Sequence, residues 1–147
     1  MGVTTHAADE AALRAGVRDV CAEFPGAYWR GLEPDRYPEA FVAAMTAAGL
    51  LAVLIPTEYG GSGLGLEQAA VVLEEVNAAG GSASACHAQM YTMGTLLRHG
   101  TEEQKRRWLP AIAAGEIRLQ AFGVTERDAG SDTMRIATRA ERRGDGW

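Results

Sequence analysis

The chain has 147 residues, 47% hydrophobic and 22% charged, which is enough to bury the core of one ordinary domain, or of a small domain with part of another. Its formal net charge of -5 argues against a dedicated nucleic-acid binder, because attraction to phosphate needs a basic surface. Two cysteines are too few for a disulfide framework or a four-thiolate zinc site. No apolar stretch approaches the ~20 residues of a membrane span. The composition therefore predicts a soluble, cytoplasmic, globular protein.

Five helices are predicted from apolar residues at helical spacing, from capping signals and from the glycines that follow. In the first, Leu13, Val17 and Val20 form one inward stripe, and the residues around Pro25 that follow it are predicted to be a loop. The five segments are residues 9–24, 38–49, about 66–79, about 82–99 and 101–114, the last opened by a capping box of Thr101 and Gln104. We therefore expect an α-helical domain over residues 1–116.

Two readings are open for residues 50–65, where an apolar run is followed by a glycine-rich loop and a helix. This order occurs in dinucleotide-binding crossovers. However, Gly61, Gly63 and Gly65 alternate, so the third glycine of the G-x-G-x-x-G fingerprint is missing, and residues 56–59 separate the loop from the apolar run. The pattern favours a structural hinge between helices.

The pattern changes after Gly115. Residues 119–125 are apolar without helical period and residues 136–142 alternate, so both are predicted to be strands. Gly144 to Gly146 then resembles a hairpin turn. A hairpin signal without its returning strand predicts that the chain is truncated, with residues 117–147 forming the incomplete start of a β domain.

Metal binding is not expected from the histidine and cysteine pattern. His87 adjoins Cys86, but adjacent residues on a helix point about 100° apart, and no HxxxH or CxxC spacing accompanies the pair. An ordinary core or surface role is expected for both residues.

Residues 121–132 carry the strongest chemical signal. A strand that opens into a flexible loop can offer backbone N–H groups and the Thr125 hydroxyl to a planar polar ring, and Gly130 lets successive N–H groups converge on an anion to which Ser131 adds a donor. The alternative is a solvated loop between two strands.

This segment resembles the signature V-T-E-x-x-A-G-S-D of the acyl-CoA dehydrogenase family, which residues 124–132 match. Two further similarities occur in the expected order, in residues 56–61 and in residues 100–110. The resemblance covers nearly all of this chain, but less than half of a typical family member.

The resemblance implies an enzyme that uses FAD to oxidise an acyl-CoA thioester to its 2,3-enoyl form. The implied fold is mainly α, with an N-terminal helical domain of about five helices followed by the first strands of a β-barrel-like middle domain. It also implies a homotetramer, electron-transfer flavoprotein as electron acceptor, and FAD between the β domain and a C-terminal helical bundle. The catalytic base is implied to be a glutamate in that bundle, so no catalytic residue is expected in this chain, and Glu126 is not given that role.

Site residues follow from the resemblance by position. The residues implied to contact the flavin ring are Phe122, Gly123, Val124 and Thr125. Gly130 and Ser131 are implied to lie by the cofactor's pyrophosphate, with Ser131 also reaching the CoA portion of the substrate. The residues implied to face the acyl tail are Ser84, His87 and Tyr91, and the bulk of Tyr91 favours short or branched acyl chains.

Two other functions stay open at this point. A helical domain without a catalytic half would serve as a non-catalytic interaction module. Relatives with the same fold act as flavin-dependent oxidases or monooxygenases, and a fold does not dictate its chemistry.

Overall fold

The computed structural model describes residues 3–119 and 121–147, with residues 3–8 as backbone only. The helices are α1 (Val3–Ala22), α2 (Gly26–Arg30), α3 (Glu39–Ala47), α4 (Leu66–Ala78), α5 (Ser84–His99) and α6 (Glu102–Ala113), and two single 3₁₀ turns span Thr57–Tyr59 and Thr133–Arg135. No helix within the described residues is long and apolar enough to cross a membrane. The mainly helical fold class is confirmed.

The part of the chain that the structure describes has six helices, one more than the five predicted. The additional one is the one-turn helix α2, formed by residues 26–30, which were predicted to be a loop. A single turn is too short to show helical periodicity, and in isolation it is unstable. Here it is stabilised by packing: the Trp29 ring meets Phe41 edge-on at 4.8 Å between centroids, and its indole N–H donates to the Phe24 carbonyl over 3.0 Å.

Two apolar clusters hold the helices together, and α5 belongs to both. The larger cluster joins α1, α3, α4 and α5, and includes Cys86 and Met90 of α5. The smaller one joins α5, α6 and the first 3₁₀ turn, and includes Met93 of α5 and Leu109 of α6. Because its buried face is shared between two clusters, α5 is fixed along most of its length.

A buried carboxylate links α1 to α4. Glu75 is only 5% exposed, and its oxygens accept from Arg18 at 2.6 and 2.9 Å and from Arg14 at 2.6 Å. Hydrogen bonds from Arg18 and then Arg14 lower the pKa of Glu75. A buried charge is tolerated only when it is paired in this way.

The glycine-rich loop is a structural connection, as the sequence favoured. The N–H groups of residues 61–64 donate to carbonyl oxygens of residues 52–56 over 2.7–3.2 Å. These donors are therefore used within the fold, and they do not form a cradle for phosphate. A Cβ on Gly61 would overlap the carbonyl oxygen of Ile55 and lie 2.6 Å from that of Ala52.

The two predicted strands are not formed. Within residues 3–119 and 121–147 the only β pairings are isolated bridges, Glu126 with Ala129 and Arg143 with Gly146. Alternating side chains favour an extended backbone, but a strand also needs a neighbour to complete its hydrogen bonds, and no described segment supplies one. The predicted turn is present: Gly144 has φ +63°, and the Arg143 N–H donates to the Gly146 carbonyl over 2.9 Å.

Substitution of Gly61 tests the close approach of the glycine loop to residues 52–55. We expect Gly61→Ala to lower the free energy of unfolding by about 1–3 kcal/mol or more, because the new methyl group meets backbone atoms that have no room to move. The matched control is Gly16→Ala in α1, where nothing lies within 4 Å of the added Cβ. It should raise the free energy of unfolding by roughly 0.5–1 kcal/mol. Equal denaturation midpoints for the two variants would contradict the packing described here.

Candidate functional site

Helix α5 presents one buried and one open face. Cys86, Met90 and Met93 point into the core, whereas Ser84, His87 and Tyr91 are exposed. This split follows from the helical spacing, since residues three and four apart share a face. The three residues implied to face an acyl tail therefore lie on the open side of a fixed helix.

Three aromatic rings run from α5 to the segment that follows the helical domain. His87 and Tyr91 lie 4.9 Å apart between ring centroids, and Tyr91 meets Phe122 edge-on at 5.6 Å. Tyr91 is 40% and Phe122 52% exposed, so both retain accessible ring surface. The structure thus brings two residues predicted for the acyl group beside one predicted for the flavin.

The position of Phe122 is set by the point where the chain leaves the helical domain. Gly115 has φ +77° and turns the chain after α6. The Arg118 guanidinium then donates to the Thr46 hydroxyl over 2.7 Å, and the Leu119 N–H donates to the Gln89 side-chain oxygen over 3.4 Å. Contacts with α3 and α5 thereby hold residues 118 and 119, and Phe122 contacts Tyr91 on the open face of α5.

Gln89 was missed by the sequence analysis although it is fully buried. It lies three residues after Cys86 and four before Met93, within the apolar stripe of α5. A polar residue at a core position of a helix is the signal that identifies it.

Residues 122–125 present hydrogen-bond donors that no other described residue accepts. None of their backbone N–H groups bonds another of the described residues, and no atom lies within 4 Å of a Cβ built on Gly123. Thr125 is exposed and Val124 half-buried. N–H groups that bond no other described residue, followed by the Thr125 hydroxyl, match the polar edge of a flat heterocycle.

Gly130 and Ser131 lie in an exposed loop that is closed by Glu126. The Glu126 carboxylate accepts from the backbone N–H of Ala137 at 2.9 Å and of Thr138 at 2.7 Å. These bonds, that from Ala137 first, lower the pKa of Glu126. In the portion of the chain described here, no hydrogen bond or ring contact joins Ser131 to His87 or Tyr91, so the two halves of the predicted site meet only at Phe122.

Two open cavities flank the aromatic row along α5. A groove of about 680 Å³ near the start of α5 includes Trp29, Tyr37 and Ser84 in its lining. A second of about 370 Å³ near the end of α5 is lined in part by Trp108 and Phe122. Ser84 and Phe122, both predicted site residues, therefore line different cavities.

The helices form one domain with an open face on α5, and comparisons with known proteins establish its family. The family model for the acyl-CoA dehydrogenase N-terminal domain matches residues 7–116. "Probable acyl-CoA dehydrogenase fadE25" of Mycobacterium leprae is 43% identical over 114 residues, which cover 76% of this chain and 29% of that protein. Glutaryl-CoA dehydrogenase of Desulfococcus multivorans is 40% identical over 116 residues, with 76% and 29% covered.

Solved structures agree. In the ChsE4-ChsE5 complex from Mycobacterium tuberculosis, one chain superposes with a TM-score of 0.70 at 29% identity, covering 93% of this chain and 35% of that one. The steroid ACAD Tcur3481-Tcur3483 gives a TM-score of 0.62 at 34% identity, covering 94% and 37%. The chain therefore belongs to the acyl-CoA dehydrogenase family, and the predicted family is confirmed. The chain spans 29% of the length of each of the two curated relatives. The boundary between the helical domain and the start of the β domain, at residues 116 and 117, stays a prediction.

Proposed function

We propose that this chain supplies the helical domain and the flavin-contacting segment of an FAD-dependent acyl-CoA dehydrogenase, which converts an acyl-CoA thioester to its 2,3-enoyl form. One observation carries the proposal: in a member of this family, the Phe122 ring contacts Tyr91 of α5, and the N–H groups of residues 122–125 bond no other described residue. The segment proposed to bind the flavin is therefore adjacent to the helix face proposed to contact the acyl tail.

The donors of the chain suit two parts of FAD, the flavin ring and the pyrophosphate. The N–H groups of residues 122–125 and the Thr125 hydroxyl would bind the polar edge of the flavin ring. Gly130 and Ser131 have backbone N–H groups that bond no other described residue, and these would bind the pyrophosphate together with the Ser131 hydroxyl. Clustered backbone N–H groups are a common way to hold phosphate oxygens.

The chemistry explains why donors belong at this position. When bound, FAD supplies the acceptor for the hydride that leaves the β-carbon of the substrate. The Thr125 hydroxyl and the neighbouring N–H groups would donate to the pyrimidine end of the ring, where negative charge collects during this transfer. Fixed donors aimed at developing charge are among the largest contributions to catalysis.

The base that removes the α-proton is proposed to lie outside this chain, in the C-terminal bundle of the family. Glu126 is the glutamate of the signature motif, but both of its oxygens already accept backbone N–H groups and its pKa is lowered. A carboxylate with a lowered pKa is a weak base, so Glu126 does not suit this role.

The substrate class is an acyl-CoA, taken up against Ser84, His87 and Tyr91, with Ser131 reaching the CoA portion. The relatives' names refer to different acyl groups, glutaryl in one and steroid in another. We propose a cytoplasmic homotetramer that passes electrons to electron-transfer flavoprotein. The ChsE4-ChsE5 relative is a complex of two named components, so a heteromer is the alternative assembly that a native mass would reveal.

Flavin binding is predicted for the protein as its host produces it. We expect visible flavin absorbance, bleached by an acyl-CoA without oxygen. Thr125→Val should weaken FAD binding or slow the bleaching about tenfold, because one donor to the ring is lost. The matched control Thr133→Val removes an exposed hydroxyl in the second 3₁₀ turn and should change neither. A protein that stays colourless with added FAD would contradict the proposal, and rapid oxygen uptake would favour the oxidase or monooxygenase reading.

Chain-length selectivity tests the role of Tyr91. Tyr91→Ala should raise kcat/KM for long straight-chain acyl-CoAs relative to short or branched ones by about tenfold, since removing a bulky wall lengthens the pocket. Arg98→Ala, an exposed change about two turns further along α5, should leave this ratio unchanged. An unchanged ratio in Tyr91→Ala would remove Tyr91 from the acyl wall.

A further inference from the structure

The loop from Glu126 to Thr138 is closed by few interactions. At its start, the Glu126 and Ala129 backbones bond each other over 3.0 and 3.4 Å. At its end, the two N–H groups of Ala137 and Thr138 meet the Glu126 carboxylate. Of residues 127–136, only Ala129 is buried.

Glu126 therefore decides whether the loop is closed. Ordering exposed residues costs conformational entropy, and this loop has almost no apolar burial to offset that cost. Two short bonds to an ionised carboxylate are about twice as strong as neutral ones. No Lys or Arg of the described residues forms a salt bridge with Glu126, so its charge is satisfied by the backbone N–H groups of Ala137 and Thr138 and by the Thr138 side chain.

The closed loop determines how Gly130 and Ser131 are presented. Both residues directly follow the Glu126–Ala129 turn, and their N–H groups bond no other residue that the structure describes. Opening the loop would let these donors separate. A ligand would then have to reorder them on binding, and this loss of conformational entropy would lower its affinity.

We propose that Glu126 is a positioning residue: by bonding Ala137 and Thr138 it closes the loop of residues 126–138 and fixes Gly130 and Ser131 for the pyrophosphate of the cofactor. The ligand part of this inference rests on the proposed function. The closure of the loop by Glu126 involves only residues of this chain and does not depend on the proposed function.

Trypsin reports on closure without any enzyme activity. Arg135 lies inside the loop and Arg142 outside it, and both are exposed. In Glu126→Gln, one oxygen that accepts an N–H is replaced by an amide group that cannot accept. Without FAD, we expect cleavage after Arg135, measured relative to Arg142, to become about tenfold faster, and FAD to bind about tenfold more weakly. Glu126→Asp keeps the charge but shortens the reach, and should behave in the same way.

The matched control is Asp128→Asn, which removes a charge from the same loop without touching the bonds of Glu126. It should leave cleavage and FAD affinity within about twofold of the wild type. Unchanged cleavage in both Glu126 variants overturns the closure. Faster cleavage with unchanged FAD affinity overturns the positioning role. A wild-type protein that binds no FAD instead overturns the proposed function, while the cleavage comparison still decides whether Glu126 closes the loop.

Discussion

The candidate site depends on how residues 115–119 are held against the helical domain. Arg118 is bonded to Thr46 of α3 and Leu119 to Gln89 of α5, so the chain leaves the helices in a fixed direction. Gln89 is retained at an energetic cost: its side-chain nitrogen is buried without a partner among the described residues, which costs about 1–3 kcal/mol. Such exceptions concentrate at functional positions. Here the exception lies where Leu119, at the exit from the helical domain, is bonded to α5.

The two sides of the candidate site, α5 and residues 121–147, are stabilised by different kinds of interaction. Helix α5 is anchored in two apolar clusters, and so provides a rigid wall for His87 and Tyr91. Residues 121–147 are mostly exposed and are held by local hydrogen bonds, above all those of Glu126. Segments with few apolar contacts open more readily than core helices. We therefore expect a ligand to order this second side and to leave α5 unchanged.

The sequence predicts the features whose causes are local. The capping box of α6 is present, with Thr101 and Gln104 exchanging bonds of 2.8 and 3.2 Å, because its two residues are neighbours on the chain. The features that depend on distant partners could not be read. Helix α2 is stabilised by packing against the Phe41 ring, and a strand forms only beside a neighbouring strand. The bonds of Glu126 join it to residues 11 and 12 positions further along the chain. The flavin-contacting residues inferred from the motif stay a prediction, and the contact of Tyr91 with Phe122 could be found only from the fold.

The central claim is that residues 122–125 and 130–131 form one flavin-binding surface beside α5. Amide hydrogen exchange of the whole protein, with and without added FAD, tests it most directly because it reports on those N–H groups themselves. The account predicts that FAD slows exchange in both segments and leaves the interior of α5 unchanged. Protection confined to other segments, with residues 122–131 exchanging at the same rate in both samples, would contradict it.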